Sequence, residues 1–153
     1  MTAACFELSC AITVEDVPDV RRFVEKLHRR LVASPDDVAR VAMTTHELLE
    51  NAVKFSVDGN ATLKVEVVDG RNVHITTRNV ARSADAEGLR ALTAQLEATG
   101  DPMLFYLQRM QEAPKARGGL GIGRVAAEGE MQIGVSFDGN VVEVHASSPL
   151  TPP

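Results

Sequence analysis

Two stretches of the chain alternate between apolar and polar residues on either side of an Asp-Gly pair, and this pattern constrains the fold most. The apolar positions are Leu63, Val65, Val67, Val73 and Ile75 around Asp69-Gly70, and Ile133, Val135, Phe137, Val142 and Val144 around Asp138-Gly139. Such alternation puts the apolar side chains on one face of a strand, and Asp-Gly favours a tight turn between two strands. The sequence therefore predicts two antiparallel hairpins, each with one buried face.

A short strand and two helices are predicted before the first hairpin. Residues 6–12 alternate as a half-buried strand does, and residues 17–31 carry apolar side chains at the spacing of an amphipathic helix. A longer helix is predicted over 35–56. It begins after Ser34, a favourable N-cap, with Pro35 at the first helical position, where its missing N–H costs nothing.

The order of these elements predicts an α+β protein. Grouped helices and antiparallel hairpins indicate a two-layer α/β sandwich, in which helices cover one face of a mixed, mostly antiparallel sheet. The chain has 153 residues, of which 44% are hydrophobic, enough for one domain with a sizeable core. We expect a single domain over 1–147, followed by a frayed tail over 148–153.

Charge and hydropathy exclude several classes of partner. The formal net charge is −5 and no stripe of Lys and Arg offsets it, which argues against a general nucleic-acid binder or a binder of anionic membranes. The first apolar stretch is short and is interrupted by Glu7, Glu15 and Asp16, so no signal peptide or spanning segment is predicted. These features predict a cytoplasmic protein.

Three polar side chains fall on one side of the helix predicted over 35–56. Glu47, Asn51 and Lys54 are separated by four and three positions, so they lie along one edge of a helix. A carboxylate, an amide and an ammonium together suit a magnesium–phosphate group. The alternative is an ordinary solvated helix face, and spacing alone does not decide between the two.

The segment over 46–54 reads His-Glu-Leu-Leu-Glu-Asn-Ala-Val-Lys, and it resembles the N-box of the histidine-kinase-like ATPase (GHKL) superfamily. That superfamily includes gyrase, histidine kinases and the anti-sigma-factor serine kinases. The resemblance implies Mg²⁺ and ATP as cofactors. It also implies that Asn51 holds the metal against the phosphates, that Glu47 acts as general base, and that Lys54 lies near the phosphates.

A second match is the run Gly118-Gly119-Leu120-Gly121-Ile122, which resembles the later glycine-rich box of the superfamily. The resemblance makes Arg117, Gly118, Gly119, Leu120, Gly121, Ile122 and Gly123 nucleotide-binding residues, with Arg117 in place of the first glycine of the box. Glycines suit this task because backbone N–H groups can approach phosphate oxygens closely where no Cβ intervenes. A short helix is predicted to follow over 122–127, and its N-terminus favours an anion.

The adenine-binding box departs from the superfamily pattern. The resemblance places Asp-x-Gly-x-Gly at the end of the strand over 73–77, where this chain has Asn79 and Ala81. Asn79 still presents a hydrogen-bond acceptor but no ionised one, and the Ala81 methyl occupies space where a base would approach. We therefore expect weak recognition of adenine.

The region between the adenine-binding box and the glycine-rich box makes the resemblance to known proteins more specific. The two helical stretches predicted there, over 89–96 and 101–110, resemble the corresponding region of a family of bacterial kinase-like regulators of biofilm formation. An apolar stripe on the second of them is interpreted as core packing or as a contact with a partner or a second subunit; it contains Met103, Leu104, Leu107 and Met110. The resemblance implies a partner regulatory protein and allows a homodimer.

Two functions stay open at this point. One is an ATP-dependent serine/threonine kinase in signal transduction, which phosphorylates or sequesters its partner. The other is a non-catalytic, pseudokinase-like interaction domain that has lost nucleotide binding. The intact N-box favours the first function, and the altered adenine box favours the second.

Overall fold

The computed structural model describes residues 4–112 and 120–153. The strands in these ranges are β1 (Ala4–Ala11), β2 (Asn60–Val68), β3 (Asn72–Val80), β4 (Gln132–Asp138) and β5 (Val141–Pro149). The helices are α1 (Val17–His28), α2 (Pro35–Phe55), α3 (Ser83–Thr99), α4 (Pro102–Glu112) and α5 (Leu120–Ala127), with a 3-10 turn over Val14–Asp16. Among the described helices, none combines the length and the hydropathy that crossing a membrane requires.

The strands form one sheet in the order β1-β2-β3-β5-β4. Each pairing between the described strands is antiparallel, so the sheet is antiparallel throughout rather than mixed. The two predicted hairpins are confirmed. In the first, Val65 pairs with Ile75, and the turn residues Asp69 and Gly70 both adopt positive φ, the conformation that Asp-Gly favours in tight turns.

One face of the sheet carries the core. Along β2 and β3 every second side chain is buried, and α2 packs over these strands with Leu48 and Leu49 fully buried. The side chains of the opposite face, for example Thr76 and Glu143, stay partly accessible. The predicted α+β two-layer sandwich is therefore confirmed, with the helices on one side of the sheet.

The C-terminal residues are more ordered than predicted. Strand β5 continues to Pro149, Leu150 is buried, and the backbone N–H of Thr151 donates to Asp37 at 2.6 Å. The expectation of a frayed tail over 148–153 is therefore wrong for its first four residues. Pairing with β3 and the contact with the start of α2 hold them, and neither partner is adjacent in sequence.

The interpretation of the α4 stripe as core packing is also wrong. All four of its apolar side chains are between 46% and 48% exposed: Met103, Leu104, Leu107 and Met110. The opposite side of the helix buries Phe105, which packs with Leu92 and Ile122 in a cluster of its own. The exposed stripe thus faces away from the core.

The missing side chain of Gly129 lets the chain directly after α5 pack closely against α2, and a substitution at this position tests that packing. A Cβ at position 129 would lie 2.5 Å from the carbonyl oxygen of Val125 and 3.1 Å from Cε of Met43. Because a backbone atom cannot move aside cheaply, Gly129→Ala is expected to lower the free energy of unfolding by about 1–3 kcal/mol in denaturant titrations. Gly134→Ala is the control, since a Cβ there meets nothing within 4 Å. Equal stability of the two variants would contradict this packing.

Candidate functional site

A cavity of about 470 Å³ lies between the buried face of the sheet and helices α2 and α3. Its wall is mostly apolar, with contributions from Leu48, Phe55, Leu89, Leu92, Ile122, Val142 and Val144. The polar residues at the wall are Asn51, Thr77, Asn79, Asp85, Gln95 and Arg109. An apolar cavity of this size with a few polar groups is typical of a small-molecule site.

Asn51 and Asn79, two residues singled out in the sequence, both line this cavity. Asn51 reaches it from α2, and Asn79, which is 8% exposed, from the end of β3. Thr77 lies two residues earlier on β3, so its side chain points to the same face of the sheet. Ala81 is buried at the wall as well.

Glu47 faces helix α5. Its Oε1 accepts a hydrogen bond from Arg124 at 3.2 Å, and the Glu47 side chain is 19% exposed. Nε of Arg124 also donates to Glu128 at 2.9 Å. These bonds, Glu128 first and then the charge of Glu47, raise the pKa of Arg124 above its ordinary value, although burial opposes them. The carboxylate predicted as general base is therefore held by a cation.

Arg124 was not predicted as a site residue. The only local signal in the sequence is its spacing of four positions from Glu128, which is common on helix surfaces. Its contact with Glu47 joins residues 77 positions apart and exists only because α5 crosses α2.

The described part of the glycine-rich segment, from Leu120 onwards, is helical. Helix α5 starts at Leu120, two residues before the predicted start, so Gly121, Ile122 and Gly123 are helical. A Cβ at position 121 would lie 2.7 Å from Oε2 of Glu47 and 3.6 Å from Nδ2 of Asn51. The missing side chain at Gly121 thus lets α5 approach the two N-box residues closely.

The remaining glycine-box residues differ in what the structure describes. A Cβ at Gly123 would meet the ring of Tyr106 at 3.2 Å, so this glycine allows contact between α5 and α4. Ile122 is buried at the cavity wall. Arg117, Gly118 and Gly119, predicted to bind nucleotide, lie outside the described residues.

Lys54 is engaged elsewhere. Its ammonium pairs with Glu50 at 2.7 Å, and Nε2 of His46 contacts the other oxygen of Glu50 at 3.1 Å. The hydrogen bond from Lys54, more than any other contact, lowers the pKa of Glu50. Neither Lys54 nor Glu47 is among the residues that line the cavity. Glu47 and Asn51 lie against α5, whereas Lys54 pairs with Glu50 on its own helix.

The residues at the cavity fit a magnesium ion only in the presence of phosphate. In the described ranges, no three His, Cys, Asp or Glu side chains come close enough to hold a metal ion by themselves. Mg²⁺ commonly keeps several waters and takes one or two protein ligands together with substrate phosphates. The amide oxygen of Asn51 could serve as such a ligand.

The fold is similar to that of a protein chain in the crystal structure of the SiaB–SiaC complex from Pseudomonas aeruginosa. The TM-score is 0.72 at 15% sequence identity, and the match covers 95% of this chain and 88% of that chain. No protein-family model matches the sequence, and no curated protein does. At this level of identity, the likeness establishes the fold and nothing further.

Proposed function

We propose that this protein is a bacterial signalling regulator of the histidine-kinase-like ATPase type. It binds Mg-ATP weakly and transfers phosphate to a serine or threonine of a partner regulatory protein, or sequesters that partner. The meeting of Asn51, Asn79 and Ile122 at one cavity carries the proposal. These residues come from three separate segments, and the sequence resemblance assigns all three segments to a single nucleotide site.

The cavity offers what a nucleoside requires. Its volume of about 470 Å³ falls in the range of roughly 300–1,000 Å³ that is typical of ligand sites. Its apolar wall can cover the faces of a base, while the amide of Asn79 and the hydroxyl of Thr77 can each donate and accept hydrogen bonds. The buried Ala81 methyl reduces the available space, in line with weak binding.

The contacts of Glu47 and Asn51 with α5 support a site in which the phosphates of the bound nucleotide lie beside α5. Bound ATP would supply the transferable phosphoryl group. Glu47 would accept the proton of the partner's hydroxyl, and Asn51 would hold the metal. Arg124 now bonds to Glu47, and its guanidinium lies where it could stabilise phosphate charge after leaving that carboxylate.

A protein partner is supported by the exposed stripe on α4. Monomeric proteins rarely leave several large apolar side chains together at the surface, and methionine surfaces adapt to partners of different shape. The structurally similar chain belongs to a complex of two proteins. We infer that the α4 stripe contacts the partner or a second copy of this chain.

A second candidate function is that of a non-catalytic interaction domain. The ion pair between Arg124 and Glu47 favours it, because a hydrogen bond from the guanidinium already occupies an oxygen of the carboxylate that was predicted as general base. The substitution of the adenine-binding carboxylate by Asn79 favours it too. Calorimetric titrations with Mg-ATP and Mg-GTP separate the two functions, since the second predicts no binding of either nucleotide.

The adenine box provides a gain-of-function test. Asn79→Asp combined with Ala81→Gly is expected to tighten binding of Mg-ATP relative to Mg-GTP, by about tenfold or more. The new carboxylate would accept a hydrogen bond from the adenine amino group, and the missing methyl would make room for the base. Paired titrations of the variant and the wild type measure the effect.

Asn72→Asp is the matched control, because it makes the same chemical change at the exposed start of the same strand. Strong selection for ATP over GTP by the wild type would show that our interpretation of this box is wrong. If neither the wild type nor the Asn79→Asp, Ala81→Gly variant binds nucleotide, the non-catalytic interaction domain remains as the function.

A further inference from the structure

Positive charge is concentrated at α1, in a chain whose net charge is −5. Five of the 16 Lys and Arg residues fall within ten positions: Arg21, Arg22, Lys26, Arg29 and Arg30. This local cluster does not offset the net negative charge of the whole chain, but it makes the surface around this helix basic. The overall composition conceals the cluster, because acidic residues elsewhere outweigh it.

Four of these five cations are exposed on the solvent side of α1 or directly after it, and Arg21 is only partly exposed. The helix buries Val24 and His28, and the opposite side exposes Arg22, Lys26 and Phe23, whose side chain is 54% exposed. Arg29 and Arg30 extend this side directly after the helix. We call these five residues, 22, 23, 26, 29 and 30, the basic face.

Only part of this charge is neutralised within the chain. Arg22 pairs with Asp19, and Arg29 pairs with Glu25 at 2.7 Å. Lys26 and Arg30 have no carboxylate within ion-pair distance among the described residues. The basic face thus presents two free cations beside an exposed aromatic ring, a combination that attracts carboxylates and apolar side chains together.

A free strand edge lies next to the basic face. Within the described part of the chain, β1 pairs with β2 on one side and with no strand on the other. The ring of Phe6 on β1 lies 5.2 Å from the ring of Phe23, so the edge and the basic face are continuous. The outer backbone groups of such an edge can pair with a further strand.

We propose that the edge of β1 and the basic face form a docking surface for an extended acidic segment of a partner protein. The segment adds to the sheet beside β1 through backbone hydrogen bonds. Its carboxylates meet Lys26 and Arg30, and an apolar side chain packs on Phe23. The inference deepens the proposed function by naming a partner surface in addition to the α4 stripe, and it does not require that the nucleotide site works.

Three other occupants of this surface are less favourable than an acidic segment: a second copy of the chain, a membrane and nucleic acid. A second copy docked through the same edge would bring two basic faces together, which costs free energy. A membrane-bound helix needs a broad apolar face, whereas that of α1 is buried in the core. Nucleic acid carries the right charge but has no backbone that pairs with a strand edge.

The surface can be tested separately from the nucleotide site. No residue of β1, β2 or α1 lines the cavity, and β2 separates β1 from β3 in the sheet. The probe is a fluorescently labelled peptide as long as β1, in which every second residue, on one face of the strand, is glutamate or valine in turn, and the intervening residues are serine. We expect it to bind the full chain at low ionic strength, and to slow hydrogen exchange at the backbone amides of 4–11.

The variant Lys26→Glu with Arg30→Glu is expected to weaken peptide binding at least about tenfold and to leave Mg-nucleotide titrations unchanged. Arg71→Glu with Arg82→Glu is the matched control: it changes the net charge equally at two exposed positions outside β1 and α1, and should bind the peptide much as the wild type does.

The proposal would be overturned by no peptide binding to the wild type, by equal weakening in both double variants, by binding without protection of β1, or by the competition result described next. Vesicles of anionic lipid and a short DNA duplex serve as competitors. If either displaces the peptide at lower concentration than unlabelled peptide does, the basic face serves a membrane or nucleic acid instead. Loss of nucleotide binding alone would refute only the proposed function.

Discussion

The Asn51→Ala variant is expected to lose metal-dependent nucleotide binding completely within the range of a calorimetric titration. Asn51 is the cavity residue whose amide oxygen can bind Mg²⁺, and alanine offers no ligand in its place. The free energy of unfolding should change by no more than about 1 kcal/mol, because the side chain is only partly buried and lies at a cavity wall.

Asn72→Ala makes the same substitution at an exposed position at the start of β3 and should bind nucleotide as the wild type does. Titrations with and without magnesium separate metal binding from direct contacts to the nucleotide. Unchanged affinity for Mg-ATP in the Asn51→Ala variant would remove Asn51 from the site.

The Glu47→Gln variant is expected to bind nucleotide but to transfer phosphate to the partner at least about 100-fold more slowly. Glutamine cannot accept the hydroxyl proton. Its amide oxygen can still accept the hydrogen bond from Arg124, so the contact between α2 and α5 should persist. Phosphate transfer is measured with radiolabelled ATP and the purified partner.

Glu50→Gln is the control, because Glu50 is on the same helix but bonds to Lys54 and His46 instead of α5. It should transfer phosphate at nearly the wild-type rate. Equal rates for Glu47→Gln and the wild type would exclude Glu47 as general base and would favour the interaction domain.

The fold was predictable because its signals are local. Alternation and the Asp-Gly turns determine the two hairpins. Ser34 accepts the N–H of Asp37 at 3.4 Å, so the N-cap of α2 is where the sequence places it. The same helical spacing puts Glu47 and Asn51 on one side of α2. The resemblance that assigns Asn51, Asn79 and Ile122 to one nucleotide site also rests on residue type and order along the chain alone.

The site was predictable only in part, as the three N-box residues illustrate. A helical edge groups Glu47, Asn51 and Lys54, yet the ammonium of Lys54 is drawn to Glu50, one turn away on the same helix. Glu47 pairs with Arg124, which no local pattern links to it. Spacing along one helix states which side chains are neighbours, but not which partner each one binds.

The sequence by itself determined which segments are strands and helices, since backbone sterics and the burial of apolar side chains act over a few residues. Only the tertiary structure decided how α5 crosses α2 at Gly121, which side of α4 is exposed, and where the basic face lies beside β1. These features depend on contacts between segments distant along the chain. The free energy of these contacts comes from complementary shape and charge between the two segments that meet, and periodicity within one segment does not encode it.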